Sequence, residues 1–212
     1  MNYIRKTGAV SLFAGSVLLV IYSVLAAVMM RGFNGTGDFC TVIRHDFWMI
    51  STVTVFAGLV LLMLGLAIVY SRIASQSGAL GFAGIVVFEF AYLLQAAKVT
   101  WEIFIYPQLA YNDKASFLIS DRIIWGSMSI TVYLVLSSVT LLLGIIIFCV
   151  SMYRSGYYTK LSSVMLLIGA VMYGAGELVH MTVAITGIII FAAGCFLCGI
   201  TLLKNQQTDF VL

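Results

Sequence analysis

Charged residues are scarce in this sequence. Asp, Glu, Lys and Arg together make up 9% of the 212 residues, whereas 62% are hydrophobic. A soluble domain usually carries about 25% charged residues, and a chain of this composition could not cover its apolar surface with polar groups in water. Because apolar side chains can face outward in lipid, the composition excludes an ordinary soluble protein and favours a membrane protein.

Long polar stretches are also missing, since no segment between the hydrophobic runs is longer than a loop. The sequence therefore has no room for a soluble domain, and any chemistry must lie within the helices or at their ends. No basic patch with interleaved aromatic residues occurs and the net charge is only +3, so we predict no nucleic-acid partner. The four cysteines form no disulfide framework, because only Cys40 lies in a loop.

The sequence instead contains a series of hydrophobic runs of membrane-spanning length. A helix needs about 20 apolar residues to cross the hydrocarbon core of a bilayer. The first run is longer than the core of a signal peptide, which is roughly 7–15 residues, so we interpret it as a retained span. We predict an all-α integral membrane protein, a single domain (1–212) formed by a bundle of six transmembrane helices. The predicted spans are 8–30, 47–70, 79–106, 122–150, 161–181 and 183–203.

The last two runs are separated only by a weak break near residues 180–186, without proline or charge. A single helix across both would be about twice as long as a bilayer requires. We therefore predict a tight hairpin at this point.

The distribution of Lys and Arg predicts that both termini are cytoplasmic. With the N-terminus inside, six basic residues fall on the inner side and four on the outer side, and the outer loops also hold four aspartates. The inner set is Arg5, Lys6, Arg72, Arg154, Lys160 and Lys204, and the outer set is Arg31, Arg44, Lys114 and Arg122.

Several short motifs lie at the ends of the second and third runs. They are Tyr70-x-Arg72, Gly78-x-Leu80-Gly81-x-x-Gly84 and Trp101-Glu102-x-Phe104-x-x-Pro107-x-Leu109. In these motifs, the segment Leu66–Leu109 resembles a group of bacterial multi-pass membrane proteins of uncharacterised activity. The resemblance implies a location in the bacterial inner membrane but does not imply a specific activity.

The third run has a polar stripe. At about 100° per residue, four of its polar residues fall within a sector of roughly 80°. We expect this stripe to face protein or a water-filled cavity, because ionised groups are costly in contact with lipid. Its members are Gln95, Lys98, Glu102 and Tyr106.

The four-residue spacing of Lys98 and Glu102 lets the two side chains pair on one helix. The alternative to a binding role is therefore a self-neutralised pair that only specifies helix packing. Glu89 lies off the stripe and deeper in the membrane, where we expect a neutral carboxyl group unless a cation binds beside it.

The fifth run carries Glu177 and His180 at a spacing that lets two side chains ligate one metal ion. Both lie near the predicted outer side, at a depth similar to that of Glu102, and His45 and Asp46 enter the second run on the same side. We therefore expect these groups to converge in an outward-facing polar pocket. The alternative is that Glu177 and His180 occupy the aqueous interface at a turn.

Three classes of function follow from these residues. The first is binding or transport of a cation, a proton or a small polar solute through the outward-facing pocket. The second is a structural or regulatory subunit, embedded in the lipid bilayer, with a membrane-protein partner or a second copy of the chain. The third is an intramembrane enzyme, with a metal held by Glu177, His180 and His45, or a haem between His45 and His180. We rank them in that order, and the sequence identifies no cofactor.

Overall fold

The computed structural model describes the backbone of residues 2–30, 38–121 and 123–204, together with their side chains except those of residues 2, 30, 125, 177–179 and 181. In this part of the chain all regular secondary structure is α-helical. The helices are α1 (Asn2–Met30), α2 (Phe39–Ile43), α3 (Phe47–Phe104), α4 (Tyr106–Ala110), α5 (Phe117–Ser120), α6 (Ile123–Gly126), α7 (Met128–Ser155), α8 (Lys160–Val179) and α9 (Met181–Lys204).

Four helical segments of the described chain are long and apolar enough to cross a membrane: Tyr3–Met29, Phe47–Ala110, Met128–Ser155 and Thr182–Lys204. The predictions of an all-α fold and of apolar membrane-spanning helices are therefore confirmed. Six spans were predicted, and the difference has two sources. The second and third predicted spans lie within one continuous helical segment, and the apolar helix Lys160–Gly176 is shorter than the others.

Helix α3 folds back on itself at Gly78. As a straight rod its 58 residues would be about 87 Å long, nearly three times the thickness of the hydrocarbon core. Gly78 has φ 57° and ψ −158°, a backbone conformation that essentially only glycine adopts. The first arm (47–77) and the second arm (79–104) consequently run antiparallel, so that Trp48 at the start of α3 reaches Glu102 near its end.

Two predicted spans have different ends in the structure. The third was predicted to continue to Tyr106, but α3 ends at Phe104. In a continuous helix, the ring of Pro107 would clash with the backbone carbonyl four residues earlier. The fourth was predicted to begin at residue 122, but α7 begins at Met128 after a break at Ser127. Ser127 caps α7, because its side-chain oxygen accepts a hydrogen bond from the Ile130 amide.

Helices α8 and α9 form an antiparallel hairpin whose break is His180, the residue with extended backbone between them. A Cβ atom added at Gly169 would lie 2.4 Å from the Phe191 nitrogen, and one at Gly187 would lie 2.5 Å from the Tyr173 nitrogen. Both pairs are symmetric about His180. Glycine thus allows the two backbones to approach closely along the length of the hairpin.

The long helices form a closed circuit. Helix α1 packs on the first arm of α3, the second arm packs on α7, α7 contacts α8, α8 contacts α9, and α9 returns to α1. Phe13 of α1 and Phe196 of α9 close the circuit, with ring centroids 4.7 Å apart. Many large apolar side chains face outward from this circuit, as expected for helices surrounded by lipid. On α1 they include Val10, Val17 and Val24.

The short helices form a cap over one end of the circuit. A cluster of buried side chains joins residues 38–48 to residues 106–119. Arg44 fastens the two segments, because its Nε atom donates a hydrogen bond of 2.9 Å to the Ala110 carbonyl and its guanidinium lies 5.9 Å from the centre of the Tyr111 ring. Under the predicted orientation this cap lies on the outer side. The cluster consists of Cys40, Val42, Ile43, Trp48, Tyr106, Ala110 and Ile119.

Candidate functional site

A cavity of about 230 Å³ lies inside the circuit of helices, next to the cap. All six long helical segments contribute to its wall, with Tyr22 from α1, Leu141 from α7, Tyr173 from α8 and Phe191 from α9 among them. Most of the wall is apolar, and the polar groups come chiefly from the two arms of α3. The cavity can therefore surround an apolar body while offering a few hydrogen-bonding and charged groups.

Three members of the predicted polar stripe lie on the wall of this cavity: Gln95, Lys98 and Glu102. Gln95 is buried and joins three helices. Its Nε2 atom donates to the Ser137 hydroxyl of α7 at 3.1 Å, and its Oε1 atom accepts from the Tyr173 hydroxyl of α8 at 3.4 Å. Gln95 is thus held in one orientation and helps to fix the shape of the wall.

Lys98 and Glu102 are half-buried and lie one helical turn apart on the cavity wall. They bring a cationic group and an anionic group to a space that is otherwise mainly apolar. Tyr133 of α7 strengthens the wall behind them, because its hydroxyl donates to the Leu94 carbonyl. The position of the two charges is therefore set by the packing of α3 on α7.

Ser51, on the first arm of α3, provides an unused hydrogen-bonding group at the cavity. The residue is 1% exposed and lines the cavity, and its Oγ atom has no hydrogen-bond partner in the described chain. The neighbouring Thr52 hydroxyl, by contrast, donates to the Trp48 carbonyl at 3.0 Å. A buried hydroxyl without a partner is energetically unfavourable, so Ser51 places a polar group with unsatisfied hydrogen-bonding capacity beside the cavity.

The fourth member of the predicted stripe, Tyr106, is not among the residues that line the cavity. It is buried in the cap and packs with Trp48 and Ala110. The prediction assumed that the third helix continues through residue 106. Because α3 ends at Phe104, the direction of the Tyr106 side chain is set by α4 instead.

Cys40 also lies in the cap rather than in an open loop. It is 1% exposed, and its Sγ atom donates to the Ser116 carbonyl at 3.5 Å. Burial raises the pKa of the Cys40 thiol, and the adjacent Asp38 carboxylate raises it further. The thiol therefore stays protonated at neutral pH and acts as a packing group.

Two of the three predicted metal ligands, His45 and His180, are not among the residues that line the cavity. His45 and His180 are exposed, and each ring accepts a hydrogen bond at Nδ1 from the backbone amide two residues later, at 3.2 Å in both cases. The Glu177 side chain lies outside the described residues. Among the described side chains, no three His, Cys, Asp or Glu residues lie close enough together to hold a metal ion.

Glu89 lies on the second arm of α3 and is not among the residues that line the cavity, although it is one turn before Tyr92, which is. Its side chain is half-buried, and its Oε1 atom is buried without a hydrogen-bond partner in the described chain. Cys195 and Cys198 of α9 are both fully buried in the main core. Neither Glu89 nor the two cysteines are among the residues that form the cavity wall.

Ser51, Tyr22 and Trp48 line the cavity but were not predicted as site residues. Hydroxyl groups in membrane-spanning helices usually bond to the carbonyl one turn earlier, so Ser51 carries no distinctive signal in the sequence. Only the packing of α1 and the two arms of α3 brings these side chains to one space. No protein-family model matches the chain, and neither a curated protein nor a solved structure is significantly similar to it.

Proposed function

We propose that this protein is a multi-pass membrane protein that binds a small organic solute in the cavity beneath its cap and moves it across the membrane or presents it there. The sequence predicted a cation, a proton or a small polar solute. The mainly apolar wall favours a solute that combines a polar or charged head with an apolar body. The head would bind near Ser51, Lys98 and Glu102, and the apolar body would lie against the rings of Tyr92 and Phe191.

The observation that carries this proposal is the unpartnered hydroxyl of Ser51 on the cavity wall. Lys98 and Glu102 add both signs of charge within a turn of one helix. A zwitterionic head could pair with both, whereas a head with one charge would use the side chain of opposite sign. The aromatic rings around the cavity further favour a cationic group.

The membrane arrangement that accompanies this proposal has six spans with both termini in the cytoplasm of a bacterium. The two arms of α3 supply two spans, and the α8–α9 hairpin supplies the last two. The six inner basic residues support this orientation, which places the cap and the cavity towards the outer side.

Thiol accessibility tests the proposal directly. Ser51→Cys and Ser163→Cys form a matched pair, because both serines are buried with an unpartnered Oγ atom but only Ser51 lines the cavity. In a Cys40→Ser background and in membrane vesicles, we expect a small cationic methanethiosulfonate reagent to modify Ser51→Cys at least about tenfold faster than Ser163→Cys. The parent background without either substitution serves as the blank.

Charge selectivity gives a second readout on the same variant. Adding Glu102→Gln to Ser51→Cys should slow the cationic reagent more than an anionic one of similar size, because the wall loses its carboxylate. Adding Lys98→Gln should slow the anionic reagent more. Equal reaction rates for Ser51→Cys and Ser163→Cys would contradict a solute-accessible cavity, and the proposed function would then be withdrawn.

A further inference from the structure

Glu89 lies half-way between the two ends of the helix circuit. Two contacts between the arms of α3 fix its level. Near the fold-back, the Tyr70 and Phe82 rings lie 6.3 Å apart, and near the cap, the Trp48 indole bonds to the Glu102 carbonyl. Glu89 lies between these contacts, opposite the midpoint of the first arm. In the six-span arrangement proposed above, this level is the centre of the bilayer.

The Glu89 carboxyl group is far from every Lys and Arg of the described chain. Its Oε1 atom is buried without a hydrogen-bond partner there. Lys98 is nine residues further along the arm, about 13 Å along the helix axis and on the opposite face of the helix. Arg72 lies at a similar axial distance in the other direction, near the fold-back. The other long helices carry Asp, Glu, Lys, Arg and His only near their ends.

The other titratable groups around this level are phenols and thiols. Helix α1 has none between residues 7 and 21, and the first arm has none between residues 49 and 69. None of these groups can carry a positive charge, and an unpaired carboxylate in hydrocarbon is costly. The Glu89 carboxyl group therefore holds a proton whenever water is excluded. The phenols and thiols are those of Tyr92, Cys149, Tyr173, Cys195 and Cys198.

The cavity ends one helical turn from Glu89. Tyr92 follows Glu89 by three residues, is buried, and is the residue of the second arm furthest from the cap that lines the cavity. The Glu89 carboxylate and the Tyr92 phenol are close enough to interact electrostatically. Because one turn is about 5 Å along the axis, a proton in the cavity has only the level of Tyr92 to pass before it reaches Glu89.

A proton suits this position better than a metal ion. Metal ions that bind carboxylates take several oxygen ligands, and in the part of the chain with described side chains no group of three His, Cys, Asp or Glu residues could hold one. A proton needs a single acceptor. It forms an O–H bond with one carboxylate oxygen and leaves a neutral acid, which can return the proton to water.

We propose that Glu89 is a proton-binding site at the centre of the membrane, and that it exchanges its proton with water in the cavity past Tyr92. When water reaches the inner end of the cavity, the carboxyl group transfers its proton to a water molecule, and the reverse transfer restores the neutral acid. This inference deepens the proposed function and rests on its water-accessible cavity. It adds the proton as a second species that the protein binds.

Infrared spectroscopy of the full chain in lipid bilayers tests the proton site. The carbonyl stretch of a protonated carboxylic acid should be present in the parent at neutral pH and absent in Glu89→Gln. It should disappear when the pH is raised and return when the pH is lowered. Glu102→Gln, on the same arm, is the matched control and should retain the band. Glu89→Asp keeps a carboxyl group and should also retain a band, which separates loss of the proton from loss of the fold.

Exchange into heavy water tests the route, because the band shifts when the bound proton is replaced by a deuteron. Tyr92→Phe should slow this shift about tenfold, because a group that can pass on the proton is lost. Tyr70→Phe is the matched control. It removes a hydroxyl group between Glu89 and the end opposite the cap, at a residue that does not line the cavity, and should leave the rate of the shift unchanged.

The possible results separate this inference from the proposed function. An identical band in the parent and Glu89→Gln, or a band that responds to neither pH nor heavy water, would overturn the proton site. Equal exchange rates in Tyr92→Phe and Tyr70→Phe would overturn exchange through the cavity. If either result were obtained while Ser51→Cys still reacted faster than Ser163→Cys, the solute cavity would stand and only the inference about Glu89 would fall.

Discussion

The indole of Trp48 donates a hydrogen bond of 2.9 Å to the main-chain carbonyl of Glu102. The two residues lie at opposite ends of α3 in sequence and are brought together because the helix folds back at Gly78. The accepting carbonyl lies in the last turn of α3, where backbone carbonyl groups have no amide donor within the helix. One side chain thereby closes the hairpin of α3 at the edge of the cavity and links the cavity to the cap.

Replacing Trp48 with Phe should therefore lower stability. The substitution removes the indole donor while keeping an aromatic ring, and a net loss of about 1 kcal/mol is typical for one buried hydrogen bond. The loss would appear as a lower apparent melting temperature in detergent, measured by circular dichroism rather than by tryptophan fluorescence. Phe47→Leu, at an exposed neighbour, should leave the melting temperature unchanged, and a similar decrease in both variants would contradict the role of the hydrogen bond.

Gly78 and Gly156 should respond differently to asparagine. Both have positive φ, but Gly156 (φ 65°, ψ 0°) lies close to the left-handed helical region that asparagine tolerates, whereas Gly78 (φ 57°, ψ −158°) does not. We expect Gly156→Asn to be nearly neutral and Gly78→Asn to cost about 1–3 kcal/mol. Neither added Cβ atom would contact anything within 4 Å, so the difference in apparent melting temperature isolates backbone strain.

Gly169 and Gly174 of α8 provide a matched test of helix contact. A Cβ atom at Gly169 would lie 2.4 Å from the backbone nitrogen of Phe191, whereas the nearest atom to one at Gly174 is a Leu142 methyl group at 3.8 Å. Gly169→Ala should separate α8 from α9 and destabilise the fold by about 1–3 kcal/mol. Gly174→Ala should be neutral or slightly stabilising, because alanine favours the helix. Equal melting temperatures for the two variants would contradict the close hairpin.

Cys40 and Thr41 test the cap and its sidedness together. Cys40 is buried with a raised pKa, whereas Thr41 is exposed. At pH 7.5 a membrane-impermeant maleimide added from outside should label Thr41→Cys in a Cys40→Ser background much faster than it labels Cys40 in the parent chain. The Cys40 rate should continue to rise above the pH at which an ordinary thiol levels off, because only the thiolate reacts.

The corresponding control for sidedness is Lys6→Cys, an exposed position at the opposite end. It should react with the same reagent only after the membrane has been opened. Labelling of Lys6→Cys in intact cells would reverse the proposed orientation.

Hydrophobic runs and helical periodicity predicted much of what positions the site. The runs indicated apolar membrane-spanning helices, and 100° spacing placed Gln95, Lys98 and Glu102 on one face, which lines the cavity. The same periodicity failed at Tyr106, because it takes no account of the break before Pro107. His180, which was expected in the same pocket, is exposed at the turn between α8 and α9, and its pairing with Glu177 stays a prediction because the Glu177 side chain lies outside the described residues.

The contacts between helices could not be predicted from the sequence. Ser51 and Thr52 are adjacent hydroxyl residues with similar local sequence, yet only Thr52 bonds to its own helix, and only packing shows that the hydroxyl without a partner is at a cavity.

The contact between α1 and α9 also bears on biosynthesis. Helix α9 supplies Ala184, Ile188 and Phe191 to the cavity and packs on α1. During translation, α1 must therefore remain in the bilayer until α9 has been inserted before the interior can assemble. A nascent chain stalled before residue 181 would hold every charged residue of the site but no enclosed space for a solute.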